Sequence, residues 1–163
     1  MSAGVSLSDQ ARVRIDREIA KYPPDQRQSA VMAALAIVQQ ENGHLTNPLM
    51  DAVAEHLGMP TIAVYEVATF YTMYDLSPIG RHKLCICTNL PCALSGANEA
   101  AEHLKKRLGI GWNGTTADGL FTLEEGECFG ACGDAPVILH NNRKMLVGMT
   151  PTKIDELLAE LAK

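Results

Sequence analysis

The sequence has few aromatic residues, no excess of basic residues and no long apolar run. Aromatic side chains make up 5% of the 163 residues, so the core is expected to be mainly aliphatic. The formal net charge of -5 disfavours a nucleic-acid partner, because binding to phosphates needs a basic face. Residues 1–13 resemble neither a signal peptide nor a transit peptide, and no apolar stretch is long enough to span a bilayer. We therefore expect a cytoplasmic, bacterial protein without a direct membrane span.

The sequence also lacks the motifs of several redox and hydrolytic enzymes. It contains no C-x-x-C, the motif that a dithiol oxidoreductase would need. No pair of carboxylates stands out as a general acid and base, and the five histidines are scattered and are expected at the surface or at helix caps. We therefore predict no catalytic residue in this chain.

Four of the five cysteines fall into two short motifs, C-T-N-L-P-C at 87–92 and C-F-G-A-C at 128–132. In a reducing compartment, such cysteines are more often metal ligands or redox groups than disulfides. Both motifs are expected in loops at one end of a sheet, the usual place for a site. The spacing predicts a four-thiolate metal site that consists of Cys87, Cys92, Cys128 and Cys132. Cys85 is left over, and we interpret it as a small buried apolar residue.

The gaps between the cysteines narrow the kind of metal site. Zinc sites usually have gaps of two residues, whereas the gaps here are four and three. Plant-type ferredoxins use C-x4-C-x2-C, but Ser95 occupies the place of the third cysteine. Rieske centres need two histidines, and neither motif contains one. The pattern favours an all-cysteine 2Fe-2S cluster, and zinc remains the alternative because thiolates suit both metals.

Residues 1–78 have the pattern of a helical arm. Apolar residues recur at helical spacing in four segments, which favours a small bundle with a buried core. The four helices are predicted to begin near Ser8, Asp25, Asn47 and Thr61, with Ser8 and Asn47 as N-caps. Gly43 and Gly58 are expected to end the second and third helices.

Residues 79–163 predict a separate α/β domain. Strands are expected at 83–87, 120–123, 136–140 and 144–147, and helices at 95–108 and from Thr150 onward. The first crossover is long enough for a parallel β-α-β unit, and Asn141-Asn142 supplies the turn of a closing hairpin. The order strand-helix-strand-strand-strand-helix is compatible with a thioredoxin-like core, so the fold class is mixed, α+β or α/β.

The two cysteine motifs and the upstream run V-Y-E-V-A-T-F-Y at 64–71 point to one family. Together they resemble the thioredoxin-like 2Fe-2S subunit, the E-type subunit, of NADH:quinone oxidoreductase (respiratory complex I). The resemblance covers nearly the whole chain and departs from the usual pattern at Phe129, where the family more often has leucine. It implies that residues 79–163 form a thioredoxin-like 2Fe-2S ferredoxin domain, and that Cys87, Cys92, Cys128 and Cys132 ligate one 2Fe-2S cluster.

The resemblance also implies partners. FMN and NADH would bind a partner subunit, and this subunit and others would carry further iron-sulfur clusters. This chain would transfer electrons near the flavin. The whole complex would translocate protons at the bacterial inner membrane. The equivalent subunit of an NAD-dependent formate dehydrogenase or NAD-reducing hydrogenase is the nearest alternative. A zinc-stabilised interaction domain and a free ferredoxin shuttle are more distant ones.

Four acidic residues near the second motif are expected to face solvent, and they are Glu124, Glu125, Glu127 and Asp134.

Overall fold

The computed structural model describes residues 6–163, so the first five residues of the expected helical arm lie outside the described part. Contacts between Cα atoms divide the chain into two compact units, one that ends at Pro78 and one that spans Ile79–Lys163. Within the described residues, the first unit contains helices and no strand, and the second contains a sheet with helices. The predicted mixed fold class is confirmed by this architecture.

The first unit is a bundle of four α-helices with one intervening 3-10 turn. The helices are α1 Asp9–Ile19, α2 Val31–Asn42, α3 Asn47–Leu57 and α4 Thr61–Phe70. Their buried side chains form one aliphatic cluster, which includes Ile15, Leu35 and Val53. Ser8 caps α1 as predicted, because its hydroxyl accepts a hydrogen bond from the backbone N–H of Ala11 at 2.9 Å.

Two helix starts in this unit differ from the prediction. The second helix begins at Val31 rather than Asp25, because hydrogen bonds from i+3 to i form a 3-10 turn over Arg27–Ala30 first. The third helix has Thr46 at the N-cap, one residue before the predicted cap. Its hydroxyl makes no capping bond. Gly43 and Gly58 end α2 and α3 with positive φ angles of 81° and 68°, as expected.

The second unit is a five-stranded sheet with three α-helices. The elements in chain order are β1 His82–Cys87, α5 Leu90–Leu94, α6 Ala97–Leu108, β2 Gly114–Thr115, β3 Phe121–Gly126, β4 Ile138–His140, β5 Lys144–Leu146 and α7 Pro151–Leu161. The strand order across the sheet is β2-β3-β1-β4-β5. The central strand β1 pairs in parallel with β3 and antiparallel with β4, and β4 pairs antiparallel with β5. The predicted parallel β-α-β unit and closing hairpin are therefore both present.

One face of this sheet carries the core. Leu84 and Ile86 of β1 project to it, together with Leu123 of β3, and they pack against α6 and α7. Cys85 and Cys87 of the same strand project to the opposite face, because successive side chains alternate along a strand. Since β1 lies in the middle of the sheet, its end at Cys87 is fixed by both neighbouring strands.

Three details of this unit differ from the prediction. The expected loop after β1 contains the short helix α5, the strand β2 was not predicted, and β3 continues to Gly126 rather than ending at Leu123. Asn141 and Asn142 form the hairpin turn with φ angles of 50° and 55°, as expected.

The prediction for two histidines was wrong. His82 and His140 do not lie apart at the surface, because their ring nitrogens are 3.1 Å from each other and both rings are partly buried.

Across residues 6–163, no helix has both the length and the apolar character that crossing a membrane would require.

Candidate metal centre

The first cysteine pair is built into regular structure. Cys87 is the last residue of β1, and Cys92 lies in α5, directly after the strand. Both side chains are almost completely buried, with 1% and 2% of their surface exposed. They pack with Ala97 and Val137 in a small cluster at this end of the sheet. The pair therefore occupies positions that the scaffold defines.

The second pair lies in the connection between β3 and β4. Cys128 follows the end of β3 by two residues, and Cys132 opens a single 3-10 turn, Cys132–Asp134. Both side chains are exposed. The sulfur of Cys128 accepts a hydrogen bond from the backbone N–H of Gly130 at 3.4 Å. A positive φ of 72° at Gly130 allows this tight turn, which a side chain would strain.

Hydrogen bonds join the end of β1 to the end of β3. The N–H of Thr88 donates to the carbonyl of Gly126 at 3.1 Å, and the thiol of Cys87 donates to the carbonyl of Glu127 at 3.0 Å. The hydroxyl of Thr88 also donates to the carboxylate of Glu125 at 2.7 Å. The parallel pairing of these two strands thus brings the two cysteine motifs to the same end of the sheet.

The other three predicted ligands all act on the pKa of Cys92. Burial raises the pKa of Cys92 to about 11, and a hydrogen bond and charge repulsion from Cys87 add to this shift. Cys132 and Cys128 raise the same pKa further, so both exposed thiols act on the buried one. The structure therefore places both predicted cysteine pairs at the same end of the sheet, and their role as ligands stays a prediction.

The chemistry of this donor set fits an iron-sulfur cluster. The four cysteines lie at or after the ends of β1 and β3 with no histidine among them, and thiolates are the ligands of an all-cysteine 2Fe-2S cluster. No three His, Cys, Asp or Glu side chains in residues 6–163 are placed so that they could hold one ion. An all-cysteine 2Fe-2S cluster takes two protein thiolates per iron, so it needs pairs of thiols rather than three donors around a single ion.

Most of the acidic residues around the second motif face solvent, as expected. Glu125, Glu127 and Asp134 are exposed. Glu124 differs, because its side chain is 21% exposed and forms an ion pair of 2.8 Å with the buried Lys83 on the neighbouring strand. Its charge is therefore paired, and Glu125 is the carboxylate that the Thr88 hydroxyl holds beside the site.

A glycine-rich segment elsewhere in this unit has the letters of a nucleotide-binding motif. Residues 109–114 read G-I-G-W-N-G, which matches G-x-G-x-x-G. The dinucleotide fingerprint follows a strand and opens a helix, so that phosphate meets the helix N-terminus. Here the segment follows α6 and leads into β2. Its context is therefore not that of a dinucleotide site.

Two features of the site were missed by sequence reasoning. The helix α5 has a recognisable start, because Asn89 caps it through a hydrogen bond from the N–H of Leu90 and Pro91 follows in its first turn. This signal could have placed Cys92 on a helix. The bond between Thr88 and Glu125 joins residues 37 positions apart, and no local pattern indicates it.

Comparison with known proteins identifies relatives over most of the chain. An E-type subunit of the NADH-quinone oxidoreductase of Rhizobium meliloti (strain 1021) is 47% identical over 127 residues, which are 78% of this chain and 74% of the relative. The E-type subunit of the same enzyme from Rickettsia bellii is 40% identical, and the match covers 88% of this chain and 86% of the relative. NADH-quinone oxidoreductase subunit 2 of Thermus thermophilus is 38% identical, with 90% and 81% covered.

A solved structure has a similar fold. A chain of an NAD+-reducing NiFe-hydrogenase in the H2-reduced state superposes with a TM-score of 0.68 at 21% identity. The match covers 78% of this chain but only 22% of the hydrogenase chain, so this protein spans about a fifth of that length. At this identity the likeness concerns the fold alone.

The resemblance inferred from the cysteine motifs is confirmed by these comparisons. Residues 15–162, nearly all of the described chain, match the family description of a thioredoxin-like 2Fe-2S ferredoxin. The protein belongs to the thioredoxin-like 2Fe-2S ferredoxin family.

Proposed function

We propose that this chain is the electron-transfer subunit of an NADH:quinone oxidoreductase and that Cys87, Cys92, Cys128 and Cys132 hold one 2Fe-2S cluster. The observation that carries the proposal is the placement of both cysteine pairs at one end of the sheet, in a chain 38–47% identical to subunits of that enzyme. When bound, such a cluster accepts and releases one electron at a time at low potential.

The chain's own residues would hold and insulate the cluster. Cys87 and Cys92 provide buried sulfurs, and the apolar cluster around Ala97 and Val137 shields that side from water. Cys128 and Cys132 close the site from the exposed side. Four thiolates concentrate negative charge there, and the exposed carboxylate of Glu125 adds to it, which disfavours an added electron except where solvent screens the charge.

The partners follow from the same proposal. A flavin- and NADH-binding subunit would supply the electrons, and other iron-sulfur subunits would belong to the same complex. The chain would lie on the cytoplasmic side, peripheral to a bacterial inner membrane, and would reach the membrane only through those subunits. We further propose that the helical unit up to Pro78 and the sheet unit from Ile79 are separate domains, because each has its own apolar core.

Metal analysis of anaerobically purified protein tests the cofactor. We expect iron and acid-labile sulfide in equal amounts, about two of each per chain, a red-brown colour, and an EPR signal that appears on reduction with dithionite. Colourless protein with zinc and no sulfide would overturn the electron-transfer function and would support a zinc-stabilised interaction domain instead.

Co-purification tests the assembly. An affinity-tagged chain expressed from its native locus is expected to retain a subunit that contains FMN and oxidises NADH in the membrane fraction. Retention of a formate dehydrogenase or hydrogenase subunit in its place would reject the quinone oxidoreductase and would leave the cluster assignment intact.

A further inference from the structure

The exposed cysteine pair lies on a loop segment, residues 127–133, in which Phe129 is the one large apolar side chain. Its neighbours Cys128, Gly130 and Cys132 are exposed, whereas Phe129 is half-buried and packs against the cluster that contains Cys87. Ala131 also contacts this cluster but offers only a methyl group. Phe129 is therefore the largest apolar side chain that packs from this segment against the cluster.

The ring of Phe129 rests on a part of the sheet that has no side chain. Gly126 is the last residue of β3 and is buried. A Cβ atom built there would overlap the tip of the Phe129 ring and would lie 3.0 Å from the sulfur of Cys85. The φ angle of Gly126 is not in the left-handed region, so the glycine is needed for space rather than for its backbone conformation.

Cys85 completes this seat. It is buried, with 9% of its surface exposed, and it projects from β1 to the same face as Cys87, two residues further along. Its sulfur and the tip of the Phe129 ring both border the space above the bare backbone of Gly126, and sulfur makes favourable contacts with aromatic rings. The packing thus places the leftover cysteine next to the ring tip.

We propose that Phe129, seated on Gly126 and Cys85, is the positioning residue that sets where Cys128 and Cys132 lie relative to the buried pair. The inference rests on the proposed function, since it assigns these cysteines as ligands. The ring itself supplies no ligand atom and takes no part in electron transfer. Its effect is to hold an exposed ligand loop in one place, as side chains around a metal site hold their ligands.

Four variants separate this role from general stability. Phe129→Ala removes the ring, and Phe129→Leu keeps a shorter apolar side chain that retains part of the contact. Gly126→Ala leaves the ring intact but fills its seat. Gly133→Ala is the matched control, because a Cβ there meets nothing within 4 Å and that glycine also has no positive φ.

Hydrogen exchange of the protein without metal is the first measurement. Phe129→Ala and Gly126→Ala are expected to speed exchange of the amides at 127–133 by about tenfold or more, because the loop loses its anchor. Phe129→Leu is expected to stay within about threefold of wild type. Gly133→Ala should match wild type. If Gly126→Ala exchanges no faster than Gly133→Ala, the proposal is overturned. This comparison remains decisive even if Phe129→Ala fails to fold.

The cluster provides the second measurement, by EPR and visible circular dichroism of reconstituted protein. We expect Phe129→Ala to broaden the EPR signal and to lose its cluster about 10–100 times faster than wild type, and Phe129→Leu to restore both properties. An unchanged signal and lifetime in Phe129→Ala would overturn the positioning role alone. Failure of the wild-type protein itself to take up iron and sulfide would instead reject the proposed function, and the exchange data would still decide the role of Phe129.

Discussion

The two cysteine pairs that we propose as ligands are held in the structure in different ways. Cys87 and Cys92 are buried, at the end of the central strand and in the helix that follows it. Cys128 and Cys132 are exposed, in a loop of which one turn is 3-10 helix. The first pair owes its position to regular backbone hydrogen bonds, whereas the second owes it to a tight turn and to the packing of Phe129.

This contrast indicates that the two pairs have different roles in the proposed site. Burial holds a thiol in place but disfavours its ionised form, which is the form that binds metal. The pKa of Cys92 is raised to about 11 for this reason. Exposed thiols are accessible to an incoming metal, but they need an anchor. We infer that the buried pair gives the site its geometry and that the exposed pair gives it access.

The largest expected effect is the loss of a ligand from either pair. Cys92→Ala and Cys132→Ala are each expected to lower the iron bound after anaerobic reconstitution by at least about tenfold, because the cluster needs all four thiolates. Gly133→Ala is the control, because a Cβ there meets nothing within 4 Å, and it should bind wild-type amounts of iron. Undiminished loading of Cys132→Ala would break the comparison, since the exposed pair would then have no part in the site.

The second effect is a difference in thiol reactivity between the pairs. In protein without metal at pH 8, we expect iodoacetamide to label Cys128 and Cys132 about a hundredfold faster than Cys92. Two physical causes act together, because Cys92 is 2% exposed and its pKa of about 11 leaves little thiolate at this pH. Mass spectrometry of the labelled peptides measures each rate. Equal rates would show that burial does not distinguish the pairs, and fully unfolded protein serves as the control.

The smallest effect is on stability at high pH. A thiol whose pKa is raised from 9.0 to about 11 on folding is neutral in both states below pH 9, and between pH 9 and 11 it ionises only in the unfolded chain. Without metal, the free energy of unfolding should therefore fall by about 2 kcal/mol over this range. Urea unfolding at several pH values measures it.

Two variants assign that loss to one thiol. Cys92→Ala should remove the corresponding part of the pH dependence. The double variant Cys128→Ala/Cys132→Ala should keep most of it, because burial is the largest cause of the shift. If Cys92→Ala instead follows the wild-type curve, another group is responsible for the loss of stability.

The sequence predicted those parts of the fold that depend on neighbouring residues. Ser8 caps its helix, Gly43 and Gly58 end theirs, and Asn141-Asn142 turns the hairpin, since each acts within a few positions of the chain. The short helix α5 was missed even though Asn89 caps it. The later start of the second helix was missed because the choice between 3-10 and α-helical bonds over 27–30 has no strong residue signal.

The pairing of His82 with His140 and the ion pair of Lys83 with Glu124 show the limit of such reasoning. Each joins residues on different strands, at 3.1 Å and 2.8 Å, and each depends on the register in which those strands pair. A pattern within one strand indicates which side chains share a face but not which residue on the next strand they meet. Charged and imidazole groups that look solvent-exposed in the sequence are therefore found partly or fully buried.

By itself the sequence determined which residues are the candidate donors, because four cysteines at gaps of four and three residues predict a site for metals that bind thiolates. Only the tertiary structure decided that one pair is buried and the other exposed. It also decided that Phe129 meets Gly126 and Cys85 and that Thr88 meets Glu125. The physical reason is that donor chemistry belongs to single side chains, whereas burial and contact arise when strands 30 to 40 residues apart pair side by side.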